Sequence, residues 1–420
     1  MIALKKNKLV LNFFSLGFVQ GLIGLLQLIV IPHVIKKVGI EGFGVIAIAQ
    51  VVISYLSALN DYGFNQTATR QISISGANRI TISKIFFNVL FCKLILCFFS
   101  FMILLFLLLI VPVFRQHSLL YLMGFIFVIG QSSMVSWFFQ GLEKMRLIAL
   151  LNLGGRIIFA VLVFVFIKNK SQDFLFLFFL GSGTLIAGST SIFIAVRLFH
   201  LKFIKPSTGD IIHELKEGWH VTIANLSSYT SQYANIFILR IFTNDLLVGY
   251  YSIAERLFLT IKQVLVVFSQ VAYPRVCQLA QKGGEHFFAF GKRIYIPFLL
   301  TVITGCLVLF VFSPQLLYFF MRHEYFHSVF YLRMFCIVLV IVCLNIPSTL
   351  ILLAMEYKKS YFYIITLGMI LNILSNIILA YFFNATGTVV SILLTELFIA
   401  FGLGLRMLGY LKFKKIVSSE

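Results

Sequence analysis

Seven ionisable side chains lie inside long apolar stretches of this 420-residue chain: Lys93, Arg156, Arg240, Glu255, Arg256, Lys262 and Glu396. A charge at the centre of a bilayer costs about 2.5–3.5 kcal/mol on insertion scales, so such groups normally face a partner or a water-filled cavity. Cations outnumber carboxylates among the seven. Because a guanidinium group binds phosphate oxygens through paired hydrogen bonds, the pattern indicates a surface for an anion.

Amide and hydroxyl side chains recur at helical spacing beside these charges. Arg256, Thr260 and Gln263 share one helical face, and Gln50 and Asp61 belong to a similar stripe earlier in the chain. Amides and aromatic rings suit sugar hydroxyls and rings. The predicted ligand-binding residues are Arg256, Lys262, Arg240, Arg156, Gln232, Asn235, Asn225, Gln263 and Gln50.

Structural roles compete with ligand binding at several positions. Arg240 and Lys93 lie near the ends of their stretches, where a long side chain reaches the interface. Arg156 could form a structural ion pair, and Glu255 could pair with Lys262, seven residues away. The sequence leaves these alternatives open.

The composition excludes a soluble protein. The chain is 60% hydrophobic and 11% charged, and its longest apolar block, Phe86 to Phe114, matches the roughly 30 Å hydrocarbon core of a bilayer. The net charge of +20 comes mainly from basic residues in the links between blocks, so it indicates membrane orientation and not nucleic-acid binding.

Twelve membrane-spanning helices are predicted. They cover approximately residues 10–31, 43–62, 85–112, 118–140, 147–167, 174–198, 219–241, 247–271, 294–320, 331–354, 361–383 and 388–409. Most Lys and Arg in the links fall on one side, which places both termini in the cytoplasm. The polar link after the second span predicts a short interfacial helix, and Trp137 and Trp219 are predicted to mark interfaces.

The two halves of the chain resemble each other. The segment from Gly44 to Gln50 matches the segment from Gly249 to Glu255, and the same offset of 205 relates Gln27 to Gln232. A parallel repeat of this kind predicts two pseudo-symmetric six-helix lobes, residues 1–200 and 201–420, around a central space. Chance matching of apolar sequence is the alternative.

Motifs for enzymatic chemistry are absent from the sequence. It contains no Walker loop, HExxH or GxSxG pattern, and the predicted external links are too short for a catalytic domain. The six cysteines show no metal-ligand spacing. We therefore predict a protein that is not an enzyme and uses no metal or cofactor.

Three segments resemble the polysaccharide-transport family. They are DYGFNQTATRQIS (Asp61 to Ser73), WFFQGLEKM (Trp137 to Met145) and LVGYYSIAERL (Leu247 to Leu257). That family includes Wzx-type O-antigen and repeat-unit flippases, and it belongs to the MOP superfamily with the MATE exporters and lipid II flippases. The resemblance covers essentially the whole chain.

This resemblance implies a MATE-like all-α protein of the bacterial inner membrane that moves an undecaprenyl-pyrophosphate-linked oligosaccharide by alternating access through a cationic cavity. It implies that Arg256 and Lys262 bind the pyrophosphate, with Arg240 and Arg156 as further candidates. The candidates for ion coupling are Glu255, Glu396 and Asp61.

The implied partners are the lipid-linked oligosaccharide, membrane lipid, a polysaccharide polymerase and glycosyltransferases, with no nucleic acid. Two alternative functions remain. One is ion-coupled export of small molecules on the same fold, for which an acidic cavity would be expected. The other is a scaffold that recruits glycosyltransferases without transport. The sequence does not identify the glycan, the coupling ion or the oligomeric state.

Overall fold

The computed structural model describes residues 2–75, 78–282, 291–321, 326–355 and 357–417, and this part of the chain contains thirteen α-helices and no β-strand. Within it, eight helical stretches are long and apolar enough to cross a membrane. Lipid offers no hydrogen-bond partners to the backbone, and a helix pairs its own backbone N–H and C=O groups. The predicted all-α multi-pass class is confirmed.

The chain contacts define two compact units, Met1–Tyr233 and Ala234–Glu420. The predicted lobe boundary at residue 200 stays a prediction. The first unit contains eight helices and most of a ninth: α1 Ile2–Asp61, α2 Phe64–Ile74, α3 Arg79–Ile110, α4 Pro112–Gln116, α5 Ser118–Ser133, α6 Ser136–Gly141, α7 Met145–Phe166, α8 Asp173–Leu198 and α9 Thr208–Phe242. The second unit contains the end of α9 and α10 Asp245–Lys282, α11 Ile296–Met321, α12 Phe326–Ala354 and α13 Lys358–Val417.

Two of the long helices contain a break. The backbone of α1 is non-helical at Gly39, and that of α13 is non-helical at Asn384; both residues have positive φ. Each break falls in a predicted link, so α1 contains the first two predicted spans and α13 the last two. The seventh and eighth predicted spans, in α9 and α10, are not among the eight candidates. The count of twelve spans remains a prediction.

A short helix, α2, is present in the link where an interfacial helix is predicted. Gly63, at φ 71°, separates it from α1, and the Asn78 side chain caps α3 after it. Phe64, Ala68 and Ile72 of α2 are buried in the first unit. The short helix is thus anchored by one apolar face.

The prediction that Trp137 marks an interface is wrong. The chain becomes extended at Met134, between α5 and α6, and this turns Trp137 inward. The Trp137 side chain is fully buried and its ring lies 5.8 Å from that of Phe86 in α3. Trp219, by contrast, is 53% exposed.

Close helix packing around α8 depends on glycine. A Cβ atom at Gly155 of α7 would lie 2.7 Å from the Gly183 carbonyl oxygen of α8, and one at Gly188 of α8 would lie 2.6 Å from the Gly130 carbonyl oxygen of α5. Small residues let helix backbones approach in lipid, where no hydrophobic effect drives them together. These contacts fix α5, α7 and α8 as the scaffold of the first unit.

Large apolar side chains cover the outer surfaces of α3 and α11. Leu94 and Leu109 of α3 are 65% and 78% exposed, and Leu307 and Val311 of α11 are each 60% exposed. Exposed apolar rows of this kind suit contact with lipid.

Candidate functional site

Polar groups inside the first unit surround a cavity at Arg156. The cavity has a volume of about 190 Å³, and α1, α5, α7 and α8 line it. Arg156 and Asn152 are one turn apart on α7, which places both on the same face. Gln131 of α5 and Thr184 of α8 complete the polar wall. The close approach at Gly155 and Gly183 brings α7 to α8 here.

A second cavity of about 130 Å³ lies next to the first in the same unit. Gln131 and Asn152 line both cavities, while Ser57, Asp61 and Asn65 line only the second. Its wall is almost entirely polar, because Ser132 and Ser136 also contribute. The two cavities thus share a wall of amides inside the first unit.

Asp61 forms an ion pair at the edge of the second cavity. The Lys93 ammonium lies 3.3 Å from Asp61 Oδ1, and the Asn65 amide donates to Asp61 Oδ2 at 2.7 Å. The Lys93 side chain is only 3% exposed, so it does not reach an interface. The Asp61 carboxylate is the counter-charge that permits burial of this cation.

Asn225 and Gln50 are the other predicted residues of the first unit whose side chains the structure describes. Asn225 of α9 donates to the exposed Gln66 side chain of α2 at 3.4 Å. Gln50 is partly buried in α1 and has interactions of its own. The Gln232 side chain lies outside the described part of the structure. Neither Asn225 nor Gln50 lines the two cavities described above.

In the second unit, Lys262 and Glu396 form an ion pair. Lys262 Nζ of α10 lies 3.3 Å from Glu396 Oε1 of α13, and the Asn345 amide of α12 donates to Glu396 Oε2 at 3.4 Å. The ammonium also lies 5.5 Å from the centre of the Phe258 ring, within the range of a cation–π interaction. Lys262, a predicted pyrophosphate ligand, is therefore paired with Glu396, a candidate for ion coupling.

Glu255 does not contact Lys262, the partner that its sequence spacing suggested, but bonds to a tyrosine. The Tyr251 hydroxyl, one turn earlier on α10, donates to Glu255 Oε1 at 2.9 Å, and both side chains are buried. The alternative of a Glu255–Lys262 pair is wrong, because Lys262 instead contacts Glu396. Arg256, next in sequence, is partly buried and interacts with its surroundings.

Arg240 is tied to the end of its own helix. Its Nε lies 2.6 Å from Asp245 Oδ1, its Nη2 donates to Asp245 Oδ2, and its Nη1 donates to the Thr243 carbonyl oxygen at 3.0 Å. These contacts cap the turn between α9 and α10. They support the structural role that the sequence left open.

The remaining predicted amides of the second unit differ in exposure. The buried Asn235 side chain accepts a hydrogen bond at Oδ1 from the Asn376 side-chain amide at 2.9 Å, which joins α9 to α13. Gln263 is exposed on α10. Within the described residues, no group of three or more His, Cys, Asp or Glu side chains is placed to hold a metal ion.

Sequence reasoning missed the amides of the first unit. Gln131 and Asn152 line both cavities but were not predicted as ligands. One signal was available for Asn152, since a polar residue one turn before Arg156 shares its helical face. Gln131 belongs to a short polar segment with Ser132 and Ser133 at the end of α5, where helical spacing gives no comparable signal.

Solved membrane-protein structures share this arrangement of helices. The lipid II flippase MurJ, in an inward closed conformation, matches with a TM-score of 0.68 over 94% of this chain and 87% of MurJ at 14% identity. The eukaryotic MATE transporter AtDTX14 matches with a TM-score of 0.60 over 96% of this chain and 95% of its own at 16% identity. The chain therefore has the fold seen in MurJ and in this MATE transporter.

Sequence comparison then gives the family. Residues 9–280 match the polysaccharide biosynthesis protein family, and the chain belongs to that family. A Shigella dysenteriae protein named "Putative O-antigen transporter" is 28% identical over 396 residues, which cover 92% of this chain and 97% of the relative. An Escherichia coli K12 protein of the same name is 28% identical over 64% of this chain and 66% of its own length. The named relatives are transporters, which agrees with the prediction that this protein is not an enzyme.

Proposed function

We propose that this protein is a flippase for a lipid-linked precursor of O-antigen or a related polysaccharide. The carrying observation is the similarity to the Shigella relative, which extends over nearly the full length of both chains. The proposed substrate is an oligosaccharide repeat unit joined to undecaprenol by pyrophosphate, and the proposed location is the bacterial inner membrane with both termini in the cytoplasm. Transport would proceed by alternating access.

The charges inside the helices support an anionic substrate. Each unit holds cations inside predicted membrane spans, where a charge is costly unless it faces a partner or a water-filled cavity. Arg256 and Lys262 are the proposed pyrophosphate ligands of the second unit. Arg156 is the proposed ligand of the first unit, and Arg240 is the weakest candidate because Asp245 already binds its guanidinium group.

The Lys262–Glu396 pair supports a link between substrate and ion binding. Pyrophosphate that binds the Lys262 ammonium would compete with the Glu396 carboxylate. We therefore propose Glu396 as the first candidate for ion coupling, with Glu255 as a second candidate and Asp61, already paired with Lys93, as a third.

Amide groups complete the proposed binding surface. Asn225, Gln263, Gln50 and Asn235 offer donors and acceptors for sugar hydroxyls, and Gln232 is proposed from the sequence alone. Membrane lipid is a further partner, since the polyprenyl tail would remain in the hydrocarbon. A polysaccharide polymerase and glycosyltransferases are proposed partners on the basis of the family alone.

The first test is the replacement of Arg256 by Gln, followed by measurement of glycan at the cell surface in a strain that lacks the chromosomal copy. We expect surface glycan to fall at least about tenfold, since loss of a charge-assisted contact is worth about 1.5–3 kcal/mol. Arg406→Gln removes an exposed cation from the same unit and is the matched control. Normal surface glycan in R256Q at unchanged protein level would remove Arg256 from the mechanism.

Export of small molecules is the alternative that the MATE-like fold favours. A strain without the gene would then become sensitive to dyes or drugs while its surface glycan stayed intact. Loss of surface glycan with unchanged drug sensitivity would favour the flippase. The same deletion strain therefore separates the two functions.

A further inference from the structure

Two helices of the second unit continue through a proline. Pro314 lies inside α11 and Pro347 lies inside α12. Proline has no backbone N–H, so neither residue can donate to the carbonyl oxygen four residues before it. Those carbonyl groups belong to Phe310 and Cys343. An unpaired backbone carbonyl is costly in lipid, so each of the two needs a donor from elsewhere.

Arg333 of α12 supplies a donor at the proline in α11. Its Nε donates to the Phe310 carbonyl oxygen at 3.3 Å and to Ser313 Oγ at 3.2 Å. The Ser313 hydroxyl donates to the same carbonyl oxygen at 2.9 Å, and the guanidinium group lies 5.0 Å from the centre of the Phe310 ring. The Arg333 side chain is thus directed at the carbonyl group that Pro314 leaves without its helical donor.

Tyr295 supplies the donor at the proline in α12. It ends the turn Gly291–Tyr295, which leads directly into α11. The Tyr295 hydroxyl donates to the Cys343 carbonyl oxygen at 3.0 Å. The two helices are therefore joined reciprocally. A side chain of α12 pairs the free carbonyl of α11, and a side chain at the start of α11 pairs the free carbonyl of α12.

The two contacts lie near opposite ends of the helix pair. Phe310 lies about 22 Å along α11 from Tyr295, at a rise of about 1.5 Å per residue. By the predicted topology, α11 runs from the cytoplasmic side outwards and α12 returns. The Tyr295 contact therefore lies towards the cytoplasmic side, and the Arg333 contact lies towards the external side.

Both prolines have space beside them. A cavity of about 40 Å³ lies at Pro347, and the Phe268 ring of α10 is part of its mainly apolar lining. Empty apolar space gives the neighbouring part of α12 fewer packing contacts. In α11, Phe312 precedes Pro314 by two residues and is exposed, so little packing within the unit restrains this side of the helix.

We propose that α11 and α12 carry two hinges, one at each proline. Arg333 holds the Pro314 hinge closed, and Tyr295 holds the Pro347 hinge closed. Loss of either hydrogen bond lets one end of the helix pair bend while the contact at the other end still joins the helices. Both are positioning residues that act on the backbone and not on a substrate. The use of the hinges in transport rests on the proposed function, because alternating access opens the two sides of the membrane in turn.

Restoring the missing backbone donor tests the Arg333 contact. Arg333→Met removes the side-chain donor, and Pro314→Ala returns an N–H group that can pair with the Phe310 carbonyl. We expect R333M to lower the melting temperature of the purified full-length protein by several degrees. The double variant P314A/R333M should differ little from P314A. An equal loss from R333M with and without P314A would overturn this role of Arg333.

Tyr295→Phe applies the same test at the other hinge. It removes a single oxygen atom, so it covers the case in which R333M does not fold. We expect Y295F to lower the melting temperature, and Pro347→Ala to remove that loss. Arg406→Met and Tyr363→Phe, at exposed positions of α13, are the matched controls and should change the melting temperature little. Additive effects of Y295F and P347A would overturn the proposal at this hinge.

Distance measurements between spin labels in a cysteine-free background show which end moves. One label pair spans the predicted external ends of α11 and α13, and the other spans the predicted cytoplasmic ends of α12 and α13. The labelled residues are Phe319 with Phe382, and Leu353 with Arg406. We expect R333M to broaden only the external distance distribution and Y295F only the cytoplasmic one. Broadening of both pairs by either variant, or of neither pair, would contradict two separate hinges.

Surface glycan separates this inference from the proposed function. The melting temperatures and distances can behave as expected while the unsubstituted protein restores no surface glycan to a deletion strain. The proposed function then fails and the hinges stand. Restored surface glycan without any rescue of R333M by P314A, or of Y295F by P347A, would overturn the hinges and leave the function standing.

Discussion

Lys262 of α10 and Glu396 of α13 form an ion pair across 134 residues of sequence, with 3.3 Å between Nζ and Oε1. Their side chains are 34% and 16% exposed, so the pair is neither on the surface nor fully buried. Exposed pairs contribute about 0.2–1 kcal/mol, and loss of one partner of a buried pair costs about 3–5 kcal/mol. The Lys262–Glu396 pair lies between these limits, which suits the exchange of partners that the proposed mechanism requires.

Variants that remove or exchange these two charges are expected to distinguish the pair's effect on stability from its effect on transport. Lys262→Met should reduce surface glycan at least about tenfold if the ammonium binds the head group, because a charge-assisted contact is lost. The double variant K262E/E396K recreates the ion pair with the cation on α13. We expect it to restore the protein level and thermal stability but not surface glycan.

The measurement is surface glycan relative to the amount of protein in the membrane, with Arg406→Gln as the control for loss of an exposed cation. Full transport by K262E/E396K would show that the pair is only structural. In that case Lys262 would have no part in substrate binding.

Gly155 is expected to tolerate no side chain. A Cβ atom there would lie 2.7 Å from the Gly183 carbonyl oxygen, and backbone cannot move aside as a flexible side chain does. Gly155→Ala should therefore lower stability by about 1–3 kcal/mol, the usual cost of overpacking, and should displace α7 and Arg156 with it. Thermal unfolding in detergent measures the change.

The neighbouring Gly154 provides the matched control. A Cβ atom at Gly154 meets nothing within 4 Å, and alanine is the better helix former by about 1 kcal/mol. Gly154→Ala should leave stability unchanged or raise it. Equal destabilisation by G154A and G155A would contradict the role assigned to the α7–α8 approach.

Glu214 is expected to make stability depend on pH. It lies before the predicted seventh span, in the first turns of α9, where its side chain is 5% exposed. Burial raises the pKa of the Glu214 carboxyl above its ordinary value, and the Glu217 and Asp210 carboxylates add to this effect, while the hydrogen bond from Gln71 and the nearby His213 oppose it.

A carboxyl group with a raised pKa in the folded protein holds its proton more tightly there than in the unfolded chain. Its contribution to stability is fully present below the unfolded-chain pKa of about 4.3 and is lost as the pH rises through the folded value. Glu214→Gln should therefore raise the melting temperature more at pH 8 than at pH 5. Glu143→Gln, which removes an exposed carboxyl elsewhere in the same unit, is the control and should change the melting temperature little.

The sequence predicted those features that depend on lipid as the solvent. Apolar length located the helices, and the breaks at Gly39 and Asn384 fall in predicted links. The polar composition of the link after the second span also located the short helix α2. Each of these follows from local composition and from the need of the backbone to satisfy its hydrogen bonds in lipid.

Contacts between distant helices could not be predicted in this way. Spacing placed Glu255 and Lys262 on one face, but the structure pairs Glu255 with Tyr251 and Lys262 with Glu396. The inward turn of Trp137 depends on the extended residue before α6, which composition does not reveal. Polar residues of α5 and α7 line cavities close to the glycines at which these helices pack against α8. The residue spacing along one helix carries no information about which helices pack beside it.

Tyr251 is expected to act on transport only through Glu255. Its hydroxyl donates to the Glu255 carboxylate at 2.9 Å, and both groups are buried, so Tyr251→Phe leaves the carboxylate without a close donor. Removal of a hydrogen bond to a charged group costs about 1.5–3 kcal/mol. We expect Y251F and E255Q each to lower stability or transport, and the double variant Y251F/E255Q to be no worse than the more severe single variant.

A double-mutant cycle on thermal stability and on surface glycan measures this coupling. Interacting neighbours show coupling energies of about 0.5–3 kcal/mol, whereas independent sites add within about 0.3–0.5 kcal/mol. Additive effects of Y251F and E255Q would contradict the shared hydrogen bond. Non-additive stability with unchanged glycan would confine the pair to a structural role and leave Glu396 as the stronger candidate for ion coupling, because it is the carboxylate that also holds Lys262.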